Sequence, residues 1–182
     1  MLFEVRWHGR GGQGVVTAAM LFAEAAVEEG LYALAIPFFG AERRGAPVVA
    51  FNRVSDRAIR VRSSVRSPDA VVVLDISLLR VVDVFSGVRE GGLVVLNSPK
   101  GEAGVPRGVK AAYLDATRIA LEEGLTLAGY PLVNMPMVGA LARVTGLVGL
   151  GSLRKAVFKR WRGKMAEANW RGVRRGFEEV VV

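Results

Sequence analysis

The sequence contains no cysteine and a single histidine, His8. The first absence excludes disulfides and any iron–sulfur cluster ligated by cysteines of this chain. The second excludes zinc sites that need two or more histidines, and any two-histidine catalytic arrangement. If the chain serves a redox reaction, the electron carriers belong to another chain. No run reaches the roughly 18 consecutive apolar residues of a membrane-spanning helix. The first residues enter a strand-like run, without the basic stretch and small-residue cleavage site of a signal peptide, so a cytoplasmic location is expected. Lysine is scarce as well: Lys100, Lys110, Lys155, Lys159 and Lys164 are the whole complement, and arginine carries most of the formal charge of +8. Arginine suits planar, bidentate recognition of phosphate or carboxylate. An anionic partner is implied, whether nucleic acid, phosphorylated cofactor or acidic protein.

What is present is an α/β rhythm. The 182 residues are 51% hydrophobic, enough for one domain over 1–182 with a sizeable core. Residues 2–8 alternate as a strand, and 14–29 read as a helix that is apolar nearly all round as far as Ala23. A second strand spans 31–36 and ends at Pro37. Residues 48–54 and 58–64 read as two short strands around Ser55, Asp56 and Arg57, a hairpin that adds antiparallel strands. The runs 70–75 and 92–98 are β-branched and continuous, as in strands buried on both faces. Residues 76–88 between them are expected to form the crossover helix, and 99–108 a loop. Residues 109–117 form a weaker strand leading into a helix through Glu123. From Asn134 onward the pattern is helical, with Ser152 as the cap of a second helix. A final helix carries the apolar stripe Ala166, Trp170, Val173 and Phe177. The expected fold is α/β: a Rossmann-like three-layer open sheet, mostly parallel, with a β-hairpin and a helical C-terminal portion.

Gly9, Gly11 and Gly14 stand in G-x-G-x-x-G spacing between the first strand and the first helix, and Gly12 adds a fourth glycine. Such a loop lets backbone approach a ligand closely, while the helix N-terminus offers free N–H groups and partial positive charge. Arg10 and Gln13 add donors. The constellation suits a phosphate or diphosphate; the bland alternative is a tight turn that permits close helix–strand packing. A nicotinamide site also wants an acid at the end of the second strand, about 20 residues on. That strand ends Ala35-Ile36-Pro37-Phe38-Phe39, with no acid, and Glu42 arrives late beside Arg43 and Arg44. The loop is therefore read as holding a phosphorylated group outside a standard dinucleotide site.

Phe38, Phe39, Gly40, Glu42, Arg43 and Arg44 form a second candidate group, a loop reaching an active-site mouth or a neighbouring subunit. The alternative is a solvated turn, but two adjacent aromatics in a loop must bury somewhere. His8 could be a general base, or could pack beneath the glycine loop without a nucleophile partner. Asp75, Asn97 and Ser98 lie at the carboxyl ends of strands, where ligands of open α/β sheets gather, with helix capping as the alternative. Asn134, Met135 and Met137 either line the same crevice or, for the methionines, fill the core. Arg171, Arg174 and Arg175, with Trp161 and Trp170, make a basic face that could meet nucleic acid; no nucleic-acid motif accompanies it, and a solvated or subunit-facing surface is preferred.

Taken in order, HGRGGQGVVTAA, PFFGAERRGAPVVAFNRVS, PDAVVVLD, GGLVVLNS and NMPMVGAL resemble the gamma subunit, or gamma domain, of 2-oxoacid:ferredoxin oxidoreductases, and FGAERRGAPV is most similar to the pyruvate-type members. The likeness covers nearly the whole chain. It implies a subunit of an enzyme that oxidatively decarboxylates a 2-oxoacid to an acyl-coenzyme A. It further implies thiamine diphosphate bound by alpha and beta partners, iron–sulfur clusters in a delta or equivalent part, and ferredoxin as acceptor. The glycine loop, from Gly9, Arg10, Gly11, Gly12 and Gln13 to Gly14, would help hold coenzyme A. No catalytic residue, metal site, nucleic acid or membrane is expected of this chain. Two other classes compete with this reading: a stand-alone Rossmann-like nucleotide-binding protein, and a ligand-free basic adaptor.

Overall fold

The computed structural model describes residues 1–38, 43–101 and 104–182. Its centre is a six-stranded sheet of β1 (Leu2–Arg10), β2 (Tyr32–Phe38), β3 (Pro47–Ser55), β4 (Ala70–Val73), β5 (Leu93–Asn97) and β6 (Lys110–Leu114), in the order β2-β3-β1-β4-β5-β6. The pairs β1–β4, β4–β5 and β5–β6 are parallel. β3 runs antiparallel to both β1 and β2, with Trp7 opposite Ala50 and Ile36 opposite Phe51. The antiparallel element predicted from the sequence exists, but its partners differ. Residues 58–64 join no strand; β3 instead pairs with β2 and β1. The reason lies at Arg53. Its guanidinium donates to the carbonyls of Val61 and Ser63, at 3.2 and 2.6 Å, which occupies acceptors a ladder would need. A separate two-stranded hairpin, β7 (Thr126–Leu127) and β8 (Tyr130–Pro131), pairs Leu127 with Tyr130.

The helices are α1 (Val15–Glu28), α2 (Ala116–Glu122), α3 (Asn134–Thr145), α4 (Leu150–Arg160) and α5 (Gly163–Glu179). Their buried residues join Val5, Trp7, Val72, Val95 and Ala112 in one core on a single face of the sheet. α1 buries Ala18, Ala19, Leu21, Phe22, Ala25 and Ala26, the all-round apolar helix that the sequence predicts. The alternate residues Val71, Val73, Val94 and Leu96 point to the other face. That far layer is thinner than expected. Residues 76–88 form a 3-10 helix, Ile76–Arg80, and then turns, which bring Leu78 and Val84 onto the sheet. β-branched Val81, Val82 and Val84 within this short crossing disfavour a longer helix. The far face of β1 is polar and buried: Glu4 pairs with Arg53 at 2.8 Å, and Arg6 donates to the Val84 and Ser86 carbonyls.

α3 and α5 cross in very close contact. A Cβ on Gly139 would overlap the Val173 carbonyl, and one on Gly176 would overlap Pro136 backbone. Ser152 is not a cap: α4 begins at Leu150, with Gly149 before it, and Ser152 is buried inside the helix. The basic face of α5 is largely neutralised, with Arg171 and Arg175 on Glu123 at 2.6 and 3.0 Å and Arg175 also on Glu179. Among the described residues, no helix is long and apolar enough to cross a membrane.

Candidate functional site

β1 delivers the glycine loop at the carboxyl end of the parallel strands, the edge where open α/β sheets take ligands. Each glycine there has a separate cause. Gly9 is buried, and a side chain on it would run into Val15, so it lets α1 pack against β1. A Cβ on Gly11 would stand 2.6 Å from the Arg43 carbonyl oxygen. The Gly11 amide donates to Ala46 O at 2.8 Å, and the Gly45 amide donates back to Gly11 O. The loop and the Arg43–Ala46 stretch, two candidates far apart in sequence, are thus one body. Gly14 precedes α1 with φ 76°, a left-handed conformation that favours glycine, and the Asn134 amide lies directly against it. Asn134 donates from Nδ2 to Gly14 O at 3.3 Å, which brings α3 to the loop as the sequence suggested; Met135 and Met137 fill the core.

Arg10 and Gln13 do not point freely outward. Arg10 donates to Asp75 Oδ2 at 3.2 Å, Gly45 O at 3.0 Å and Ser77 Oγ at 2.8 Å. Gln13 donates to the same Asp75 oxygen at 3.1 Å and accepts from the Arg10 amide at 2.7 Å. Burial pushes the Asp75 carboxyl up, but hydrogen bonds from Ser77 and Gln13 and the Arg10 charge outweigh it and hold it below the usual carboxylate range. Asp75 is therefore an ionised post that braces the loop, and it also caps the following 3-10 helix through the Ser77 amide. The sequence placed Asp75 on the correct edge; its hold on Arg10 has no local signal.

The donors left over are backbone. Among the described residues, neither the Gly12 nor the Gly14 amide has a partner in the chain. Gly12 is exposed, and the nearest atom to a Cβ there is Arg44 Cγ at 3.9 Å. Arg43 and Arg44 are exposed, and neither meets a carboxylate among the described residues. Two amides without an acceptor and two guanidinium groups without a carboxylate, all counted among the described residues, make an anion-ready rim. Phe38 is 58% exposed at the end of β2. Phe39, Gly40 and Glu42 lie outside the described residues.

Other predicted positions turn out to be structural. Asn97 accepts from the Ala116 and Thr117 amides, capping α2, and donates to Leu74 O. Ser98 bonds the Lys100 carbonyl in a turn. His8 is buried, accepts at Nε2 from Arg6 Nε at 3.0 Å, and is held near pKa 4 by burial and by the Arg6 charge. It is a neutral packing residue, and among the described residues its ring bonds Arg6 and no nucleophile. The strand order also tells against a dinucleotide site. β3 lies between β1 and β2, so the end of β2 is not the neighbour of the loop that ribose recognition requires.

Residues 4–179 match the sequence pattern of the pyruvate ferredoxin/flavodoxin oxidoreductase family. The chain belongs to this family. It is 52% identical over 179 residues to the pyruvate synthase subunit PorC of Methanothermobacter thermautotrophicus, covering 98% of this chain and 96% of the relative. It is 46% identical over 186 residues to the pyruvate/ketoisovalerate oxidoreductases common subunit gamma of Thermococcus litoralis, covering 100% and 98%. The crystal structure of the pyruvate oxidoreductase subunit PorC of Thermotoga maritima superimposes with a TM-score of 0.85 at 41% identity, over 99% of this chain and 97% of that one. The 2-oxoglutarate:ferredoxin oxidoreductase of Magnetococcus marinus, solved with coenzyme A bound, shares the fold: TM-score 0.77, 20% identity, 96% of this chain and 30% of that one. The resemblance read from the motifs is thereby established. The chain is a gamma subunit of a pyruvate/2-oxoacid:ferredoxin oxidoreductase, one part of a multi-subunit enzyme.

Proposed function

We propose that this gamma subunit positions coenzyme A for chemistry carried out on partner subunits. The observation that carries the reading is the rim at Gly12: unpartnered Gly12 and Gly14 amides at the start of α1, beside Arg43 and Arg44 without carboxylates among the described residues. A diphosphate fits such a cradle, because amides and the helix dipole stabilise it without any side-chain reach. Arg10 acts one step back, splinting the loop through Asp75, Ser77 and Gly45. Gly11 keeps the Arg43–Ala46 stretch in contact with the loop.

In this reading thiamine diphosphate on alpha and beta subunits and iron–sulfur clusters on a delta subunit supply the decarboxylation and the electron path to ferredoxin. The gamma chain, a single cytoplasmic domain over 1–182, supplies orientation, a positioning effect, and does not turn over alone. The 46% identical relative is named as common to pyruvate and ketoisovalerate oxidoreductases, which supports placing 2-oxoacid selectivity on other chains. Phe38, with Phe39, Gly40 and Glu42 beyond it, then faces a partner or the mouth of the active site.

The test is Gly12→Val in the assembled oxidoreductase. A branched side chain over the open amide should raise KM for coenzyme A about tenfold or more, with KM for the 2-oxoacid unchanged. Unchanged coenzyme A kinetics in an intact assembly would refute the assignment.

A further inference from the structure

Across the rim from Gly12 stands an aromatic ring that the fold does not use. Tyr130 is 66% exposed beside the turn of the β7–β8 hairpin. The turn of that hairpin holds Ala128 at φ 50°, the one non-glycine residue with positive φ among the described residues, followed by Gly129 at φ 83°. Ala128 therefore bears a left-handed conformation that alanine disfavours. Leu127, opposite Tyr130, is exposed too, so the hairpin does not owe its shape to core burial. What Tyr130 does touch is Arg44, whose guanidinium carbon lies 5.0 Å from the ring centroid. The same arginine passes 3.9 Å from the open position above Gly12. Ring and loop are thus separated by the length of one arginine side chain.

We propose that Tyr130 and Arg44 form the subsite for the nucleotide end of coenzyme A, with the adenine stacked on the tyrosine and the ribose phosphate on the arginine. The inference rests on the coenzyme A reading above. A diphosphate seated on the Gly12 and Gly14 amides has its ribose and base one sugar away, an interval of the same kind as that bridged by Arg44. Purines stack on aromatic faces irrespective of hydrogen-bond readout, and arginine adds both charge and a planar face. Arg44 is also free to take a phosphate, having no carboxylate partner among the described residues. Arg171 and Arg175 on α5, by contrast, are committed to Glu123.

The experiment uses the assembled oxidoreductase and two thiols: coenzyme A, and pantetheine, which keeps the reactive arm and lacks the adenine nucleotide. Tyr130→Ala should raise KM for coenzyme A about tenfold, in line with the loss of one base–aromatic stack, and leave KM for pantetheine and kcat unchanged. Tyr130→Phe, which keeps the ring, should stay within about twofold of wild type for both. If Tyr130→Ala shifts both thiols equally, or neither, the subsite is refuted. If Gly12→Val raises KM for coenzyme A while Tyr130→Ala does not, the subsite falls and the loop assignment stands. If neither variant responds, both fall.

Discussion

Acidification should destabilise this chain through its one histidine before its carboxylates contribute. His8 is 5% exposed and accepts a hydrogen bond from Arg6, and burial together with the Arg6 charge lowers its pKa from 6.5 to about 4. In the unfolded chain the imidazole titrates near its ordinary value. Between these two values the unfolded state holds a proton that the folded state refuses. Stability is then complete above 6.5 and declines as the pH falls toward about 4, by about 1.4 kcal/mol per pH unit. Over the full interval the loss comes to roughly 3 kcal/mol, a large share of the 5–15 kcal/mol typical of a domain. Urea midpoints at several pH values between about 6.5 and 5 isolate the effect, because unfolded aspartate and glutamate are still mostly ionised there. His8→Gln, which keeps an acceptor for Arg6, should flatten the slope. NMR offers a direct check, since a chain with one histidine has one imidazole signal to follow. A folded-state titration near 6.5, or stability independent of pH across that window, would refute the reasoning.

Gly176→Ala should destabilise the chain by about 1–3 kcal/mol, although alanine is the better helix former by about 1 kcal/mol, because the new methyl meets Pro136 backbone where α3 and α5 cross; a raised melting temperature would contradict the packing described. Arg53→Ala should cost about 3 kcal/mol by leaving Glu4 buried with only the longer contact to Arg89. It should also free the 61–64 stretch, so that trypsin cuts faster at Arg60 and Arg62 in limited digestion; unchanged cleavage would show that Arg53 does not hold that segment. The kinetic consequences of Gly12→Val and of Tyr130→Ala complete the set.

The runs Ala70–Val73 and Leu93–Asn97 were legible as central strands because continuous β-branched sequence buried on both faces has few other solutions. The glycine loop was legible for a similar reason: strand, glycines and helix stand in immediate succession. Residues 58–64 misled because AIRVRSS alternates like a strand, while the decisive fact, the reach of the Arg53 side chain to the Val61 and Ser63 carbonyls, is tertiary. The same holds for 76–88, where the crossover helix expected between two parallel strands is replaced by a short crossing anchored by Leu78 and Val84. At the site, the residue types were readable and their commitments were not. Arg10 looked like a free donor, yet Asp75 and Ser77, more than sixty positions away, absorb it. Tyr130 carried no motif at all, and its place at the rim comes only from the contact with Arg44.

The last residues of the chain return to the sheet, where Val181 exchanges two backbone hydrogen bonds with Tyr113 at 2.8 and 2.9 Å on the outer side of β6. β2, at the opposite border, has no such stopper among the described residues. Strand addition is therefore obstructed at Tyr113 and open along β2, so a partner that lengthens the sheet finds its unpaired acceptors and donors at the β2 border.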